Sequence, residues 1–334
     1  MNTASLLKTY AAPYKYGKAV LEGSGVKGAF DERAVDCPFL FRHGGKFFMH
    51  HIGFDGSGYR SALAVSDDLL HWKHHGMVLK PSGDTGKWDG LNIAGSWLLR
   101  DIDLYGSYEL IKFQGKYWMI YHSYPGKGYE NGPAEMGLAW TEDENLLDWH
   151  RLEDPVYSWR GGADWEKGGL YRASFFRHGD LFYMFYNAKN TASCEQTGVA
   201  TSKDLIHWER YGGNPVLKVT PDTWKSRFVS DPCIVRDGDL WLNFFFGYDG
   251  GHAQDGIACS KDLFHWEAAE KPLLPSGVEG EIDSTHAHKA SIITVGKRIY
   301  HFYCACRPRR EDDRADNGGE YRCIGVASSE PFTG

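Results

Sequence analysis

Five times along this chain a glycine turn is followed by a short run of aromatic residues. The instances are Gly44-Gly45-Lys46-Phe47-Phe48-Met49, Gly115-Lys116-Tyr117-Trp118-Met119, Gly179-Asp180-Leu181-Phe182-Tyr183-Met184, Gly238-Asp239-Leu240-Trp241-Leu242 and Gly296-Lys297-Arg298-Ile299-Tyr300. Counted from Gly45, the intervals are 70, 64, 59 and 58 residues. A short apolar run precedes each glycine: Phe39-Leu40-Phe41, Leu110-Ile111, Ser174-Phe175-Phe176, Cys233-Ile234-Val235 and Ser291-Ile292-Ile293. Each unit therefore opens as a β-hairpin with glycine in the turn, where a positive φ is often needed.

A second mark recurs later in the same units. Ser66-Asp67-Asp68-Leu69-Leu70-His71-Trp72 matches Ser202-Lys203-Asp204-Leu205-Ile206-His207-Trp208 and Ser260-Lys261-Asp262-Leu263-Phe264-His265-Trp266, with a degenerate copy at 144–149. Strand-like runs such as Ser61-Ala62-Leu63-Ala64-Val65 lie upstream, and the tryptophan opens an outer strand. A unit of about 60 residues with four short strands cannot cover both of its faces alone, whereas radial repetition makes each sheet the cover for the next. The prediction is an all-β chain: a five-bladed β-propeller with four-stranded antiparallel blades. It occupies residues 1–334 as one domain, with the first ~30 residues as a lead-in segment. The 40 glycines and 15% aromatic content suit many turns and large packed interfaces, and no segment carries the 3.6-residue period of a long helix.

Charge and cysteine usage exclude several partners. Lys+Arg is 37 against Asp+Glu 44, a formal net charge of −7, with no basic block to track a phosphate backbone. Arg307-Pro308-Arg309-Arg310-Glu311-Asp312-Asp313-Arg314 mixes both signs and reads as a solvated loop. No run approaches the ~18–20 apolar residues of a membrane span. The start, Met1-Asn2-Thr3-Ala4-Ser5, lacks the basic and apolar regions of a secretory signal. The seven cysteines lack framework spacing, and Cys304-Ala305-Cys306 is a lone CxC rather than half of a paired CxxC set. They read as small buried hydrophobes in a reducing compartment, so a cytoplasmic location is expected and no metal site is assigned. The repeat sets no oligomeric state.

In a propeller the first strand of each blade lines the central axis, so position within the repeat stands for position in an axial pocket. Asp36 opens strand one of the first unit, Glu109 that of the second and Asp231 that of the fourth. The third has Arg172, with Glu166 just upstream, and the fifth has His286, His288 and Lys289. Paired carboxylates around a pocket are what glycosyl transfer to water requires: one protonates the departing oxygen, the other activates water or attacks carbon. Crowding also drives the pKa values of the members apart.

This pattern, with Asp36-x-Pro38 opening the first blade, Glu109 at the second and the Asp-Leu-x-His-Trp turns, resembles the five-bladed β-propeller glycosidases of glycoside hydrolase family 43, with relatives in families 32, 62, 117, 130 and 137. The resemblance covers the chain from about residue 30 onward. It implies a general-base Asp on blade one (Asp36), a second acid that orients and tunes (Glu109) and a general-acid Glu on blade three, for which Glu166 is the nearest candidate. The Glu-Gly-Pro or Glu-Ala-Pro of family 43 before the third blade is absent, as is the Asn-Asp-Pro-Asn of fructan enzymes. The absence of the latter disfavours invertase-like chemistry.

The expected activity is removal of a terminal sugar from an oligo- or polysaccharide, with Asp36, Glu109, Glu166 and Asp231 as the acidic set. The arabinofuranosyl or xylosyl identity of that sugar comes from the resemblance alone. Arg172, His288 and Lys289 are candidates for holding hydroxyls or a carboxylate, and Trp88, Asp89 and Trp165 for meeting the sugar ring. No cofactor is expected, although the resemblance allows a central calcium ion at His288. Two rivals stand beside this reading: a family 130-like phosphorylase using cations such as Arg172, Lys289 and Arg307, and a non-catalytic sugar-binding propeller.

Overall fold

A computed structural model describes residues 3–333. Its α-helix among those residues is Thr3–Thr9, and β-strands in five successive antiparallel units follow. The first unit comprises Ala34–His43, Lys46–Phe54, Tyr59–Ser66 and Lys73–Leu79. The second has Ala94–Leu98, Tyr117–Ser123, Glu135–Thr141 and His150–Arg151. The third has Gly169–His178, Leu181–Lys189, Glu195–Ser202 and Trp208–Arg210, and the fourth Phe228–Asp237, Leu240–Tyr248, Ala253–Ser260 and Glu267–Ala268. His286–Val295, Arg298–Pro308 and Glu320–Ser328 form the fifth. Its outer edge is completed by the other end of the chain, because Tyr14–Lys15 and Leu21–Glu22 pair with Glu320–Ser328. The lead-in segment is thus part of the fifth unit. First and fifth units also meet directly, with the Leu40 N–H donating to Ser291 Oγ at 3.0 Å.

The two sequence marks behave as physics requires. Gly44 and Gly45 have φ of 57° and 78°, the left-handed pair that a two-residue hairpin turn needs. In the Ser-x-Asp-Leu turns, Ser202 Oγ accepts the Asp204 and Leu205 N–H groups, and Asp204 Oδ1 accepts those of Ile206 and His207. These bonds hold Leu205 at a φ of 70°, costly for a leucine, and Leu69 and Leu263 repeat it. The Trp208 indole N–H then closes onto the Leu205 carbonyl oxygen. The repeated tryptophans are packing elements.

One further device positions the site. The first strand of every unit contains a β-bulge, between Asp36 and Phe39, Gly95 and Trp97, Tyr171 and Ala173, Ser230 and Cys233, and His288 and Ser291. Within three of them Cys37, Asp231 and Lys289 take positive φ of 55°, 51° and 67°. Bulges break the strict in–out alternation of a strand and re-aim side chains, here at corresponding places of all five units.

The second unit departs from expectation. Its first strand is Ala94–Leu98, and residues 99–116 loop out before the second strand begins. Leu110-Ile111 belongs to that excursion. Counting back from Gly115 therefore lands on inserted chain, and the bulge residue of this unit is Ser96.

Candidate active site

The bulges of the first, third, fourth and fifth units converge on a cavity of about 350 Å³ that Asp36, Arg172, Asp231, His288 and Lys289 all line. Strands one and three begin at the same end of each unit, so the connections between strands two and three form the rim. These connections and the strand ends beside them contribute Tyr59, Tyr124, Tyr129 and Glu130, together with Lys189, Glu195 and Tyr248. Arg322, on the last strand of the fifth unit, also reaches the cavity.

Asp36 is held by two cations. Its Oδ2 lies 2.6 Å from Lys289 Nζ and 2.7 Å from Arg322 Nη1, and its Oδ1 accepts the Cys37 N–H at 2.7 Å. Burial alone would raise its pKa, but the two cations outweigh it and hold the carboxyl well below the usual range. Asp36 is ionised. Asp231 has no such clamp: Arg172 Nε is 3.6 Å from its Oδ2, and Ser230 Oγ is 3.4 Å from its Oδ1. Burial, reinforced by the charges of Glu195 and Asp36 against the pull of Lys289 and Arg172, lifts its pKa to about 7. Asp231 therefore keeps its proton to a far higher pH than Asp36 does.

Glu195 is committed as an acceptor, from Ser230 Oγ at 2.8 Å, Lys189 Nζ at 2.9 Å and Asn187 Nδ2 at 3.3 Å. Arg172 donates from Nη2 to the Pro38 carbonyl oxygen at 2.8 Å, while its buried Nη1 has no protein partner. Tyr124 lies between Tyr59 and Tyr171, with ring centroids 5.8 and 5.3 Å away, and the three make an aromatic wall. An ionised carboxylate, a second one whose pKa is raised to about 7, an aromatic face and converging donors have the chemistry that acid–base work on a polyhydroxylated ligand calls for.

A solved structure described as a glycoside hydrolase is 30% identical to this chain, with a TM-score of 0.81, over 99% of this chain and 95% of that one. The chain belongs to the glycoside hydrolases. A family model described as the glycosyl hydrolases family 32 N-terminal domain matches residues 107–245. A second structure, from a BT0996 RGII complex, is 28% identical with a TM-score of 0.81, over 99% of this chain and 95% of that one. The 1,2-beta-oligomannan phosphorylase of Thermoanaerobacter sp. is 25% identical over 162 residues, 42% of this chain and 54% of the relative.

The other residues expected in the site of this glycoside hydrolase stand elsewhere. Glu109 bridges to Arg42, near the hairpin end of the first unit and away from the bulge that presents Asp36, because it sits on the inserted excursion. Glu166 is fully buried outside the cavity. It accepts from Tyr186 Oη at 2.8 Å, Arg210 Nε at 3.1 Å and the Ala163 N–H at 2.8 Å.

Trp88, Asp89 and Trp165 prove to be parts of a repeated brace. Trp165 stacks on Tyr186 over Gly198, as Trp88 stacks on Tyr121 over Gly137 and Trp224 on Phe245 over Gly256. The residue after each plate is an acid wherever the aromatic beneath has a hydroxyl: Asp89 accepts from Tyr121 and Glu166 from Tyr186. Asp283, following Ile282 in the fifth unit, accepts from Tyr303. In the fourth unit Phe245 has no hydroxyl, and Lys225 replaces the acid. This covariation within one chain marks the acids as structural.

Calcium does not suit this site. It takes six to eight oxygen ligands, whereas His288 faces the sulfurs of Cys304 and Cys306 and adjoins Lys289. The nearby Asp36 carboxylate is already neutralised by Lys289 and Arg322.

Proposed function

We propose that this glycoside hydrolase is a single five-bladed β-propeller that removes a terminal sugar bound in the axial cavity. Each four-stranded unit is one blade, and the N-terminal segment closes the ring at the fifth. Asp231, in its protonated form, gives its proton to the departing glycosidic oxygen. Asp36, held as a carboxylate, takes a proton from the water that attacks the anomeric carbon. The proton balance closes, since Asp231 loses one and Asp36 gains one, and solvent resets the pair. Arg172 and the rim tyrosines position the ring. The opposed protonation of two carboxylates in one cavity carries this reading. An arabinofuranosyl or xylosyl residue is the proposed glycone, supported by the resemblance to the propeller glycosidases.

The test is turnover on a panel of arabinofuranosides and xylosides, followed by comparison of leaving groups. An activated aryl glycoside needs little protonation, so Asp231→Asn should lose far less activity on it than on a sugar leaving group. Asp36→Asn should lose equally on both. Equal losses for both variants on both substrates would remove the acid assignment. NMR of the first-formed product should show inversion; retention would instead make Asp36 the nucleophile.

A phosphorylase is the second reading, favoured by the oligomannan phosphorylase relative and by the cations of the cavity. Those cations are largely engaged, Lys289 and Arg322 by Asp36 and Lys189 by Glu195. Arg307 donates two bonds to the Asp313 carboxylate, at 2.6 and 2.7 Å. Product formation independent of inorganic phosphate supports hydrolysis, and a sugar 1-phosphate product would replace it.

A further inference from the structure

The hairpin of the fifth unit carries two patterns that the acid–base chemistry does not use. His286-Ala287-His288 lies on its first strand and Cys304-Ala305-Cys306 on its second. The register pairs His286 with Cys306 and His288 with Cys304. Side chains alternate between faces along a strand, and directly paired residues share a face, so these four project together. The CxC has no second cysteine pair in sequence. Strand pairing supplies its complement instead.

His288, Cys304 and Cys306 are all buried, and one donor atom from each lies within 4.8 Å of the other two. Cys304 Sγ and Cys306 Sγ are 3.9 Å apart. Two thiolates bound tetrahedrally to zinc at about 2.3 Å lie about 3.8 Å from each other, so the sulfurs already stand at a tetrahedron's edge length. His288 Nδ1 lies 3.1 Å from the Cys304 carbonyl oxygen, the kind of contact that orients a ligating imidazole. Charge also balances. Two thiolates neutralise a divalent ion, Arg322 Nη1 lies 3.9 Å from Cys304 Sγ, and the two cations Arg322 and Lys289 are offset by two acids, Asp36 and, 2.8 Å from Arg322 Nε, Glu320. Thiolate and imidazole donors select zinc over calcium or magnesium.

We infer that His288, Cys304 and Cys306 form a zinc(II) site in the wall of the axial cavity. Binding releases the two thiol protons to solvent. His286 stays outside the coordination set, because its Nδ1 accepts the Ala253 N–H at 3.0 Å and its other nitrogen then carries the proton. The ion would tie the two strands together beneath Lys289, fixing the ammonium that clamps Asp36.

The experiment is titration of the reduced, metal-free full chain with cobalt(II) and then zinc(II). One equivalent of cobalt should give thiolate-to-cobalt charge-transfer absorption with tetrahedral ligand-field bands, which zinc then abolishes. The double variant Cys304→Ser/Cys306→Ser should lose these bands, while Cys323→Ser and His286→Ala keep them. Absence of a saturable single equivalent, or bands that persist in the double variant, would overturn the site. Should the double variant fail to fold, alkylation of the wild type mapped by mass spectrometry decides. Zinc should protect Cys304 and Cys306, and equal labelling with and without zinc would sink the proposal. None of these readouts depends on turnover, so the metal site and the hydrolase reading fail separately.

Discussion

Asp36 and Asp231 occupy matching bulges of the first and fourth units and line one cavity, yet one is clamped by two cations and the other by none within 3.5 Å. From this contrast follows a pH profile. Asp36 is ionised across the working range, so its titration leaves no limb near neutrality. Asp231 must carry its proton, so kcat/KM should be flat on the acid side and fall tenfold per unit as pH rises beyond about 7. Initial rates across pH check this. A profile rising through neutrality would exclude Asp231 as the acid. Asp36→Asn and Asp231→Asn should each lower kcat by roughly 10²–10⁴-fold on a substrate with a sugar leaving group.

Lys289 provides a second handle. Its ammonium lowers the pKa of both Asp36 and Asp231. Lys289→Met should therefore move both upward: an acidic limb from Asp36 enters the profile, and the basic limb shifts above about 7. Limbs that move in opposite directions, or not at all, would show that Lys289 acts otherwise.

Stability should carry the same signature. Asp231 has a folded pKa of about 7 against an unfolded value of 3.8, so folding favours its protonated form. The native state thus loses stability as pH rises from near 4 through about 7, after which the loss is constant. Asp231→Asn has no proton to lose. Its stability advantage over the wild type should grow across that window, to at most about 4 kcal/mol, and level off above it. Urea denaturation at pH 4, 6 and 8 reads the difference, and a constant offset would contradict the buried-acid account.

The architecture was legible because its signals are local. A glycine turn before an aromatic strand, and Ser-x-Asp-Leu before tryptophan, fix backbone geometry wherever they occur. Position in the repeat picks out Asp36, Arg172, Asp231, His288 and Lys289, all of which line the cavity, and the bulges explain why that position points inward. Glu109 failed for a countable reason: an insertion after Leu98 displaced the true first strand of the second unit. Tyr59, Lys189 and Glu195 lie at the ends of second and third strands, where the first-strand register does not reach. An antiparallel unit brings the connection between strands two and three to the same end, so those rim positions were available to the same argument. Arg322, on a third strand, is identified only by its three-dimensional bond to Asp36.

Glu166 offers the sharpest contrast between buried acids. It was a candidate acid by sequence, yet its carboxylate braces the third unit through Tyr186 and Arg210 and does not line the cavity. Glu166→Gln keeps the shape but weakens the charge-assisted bonds, and should cost about 1–3 kcal/mol. Tyr186→Phe removes the hydroxyl that Glu166 shares with Tyr157 and should destabilise to a similar degree. The two losses should be less than additive in the double variant, because both cut one network. In the fourth unit the hydroxyl and the acid are absent together, with Phe245 and Lys225 at the matching places. Thermal denaturation of the three variants reads the coupling. Activity below the melting transition should remain within a few-fold of wild type, in contrast to Asp231→Asn. A Glu166→Gln protein that folds normally and loses turnover would return Glu166 to the catalytic set.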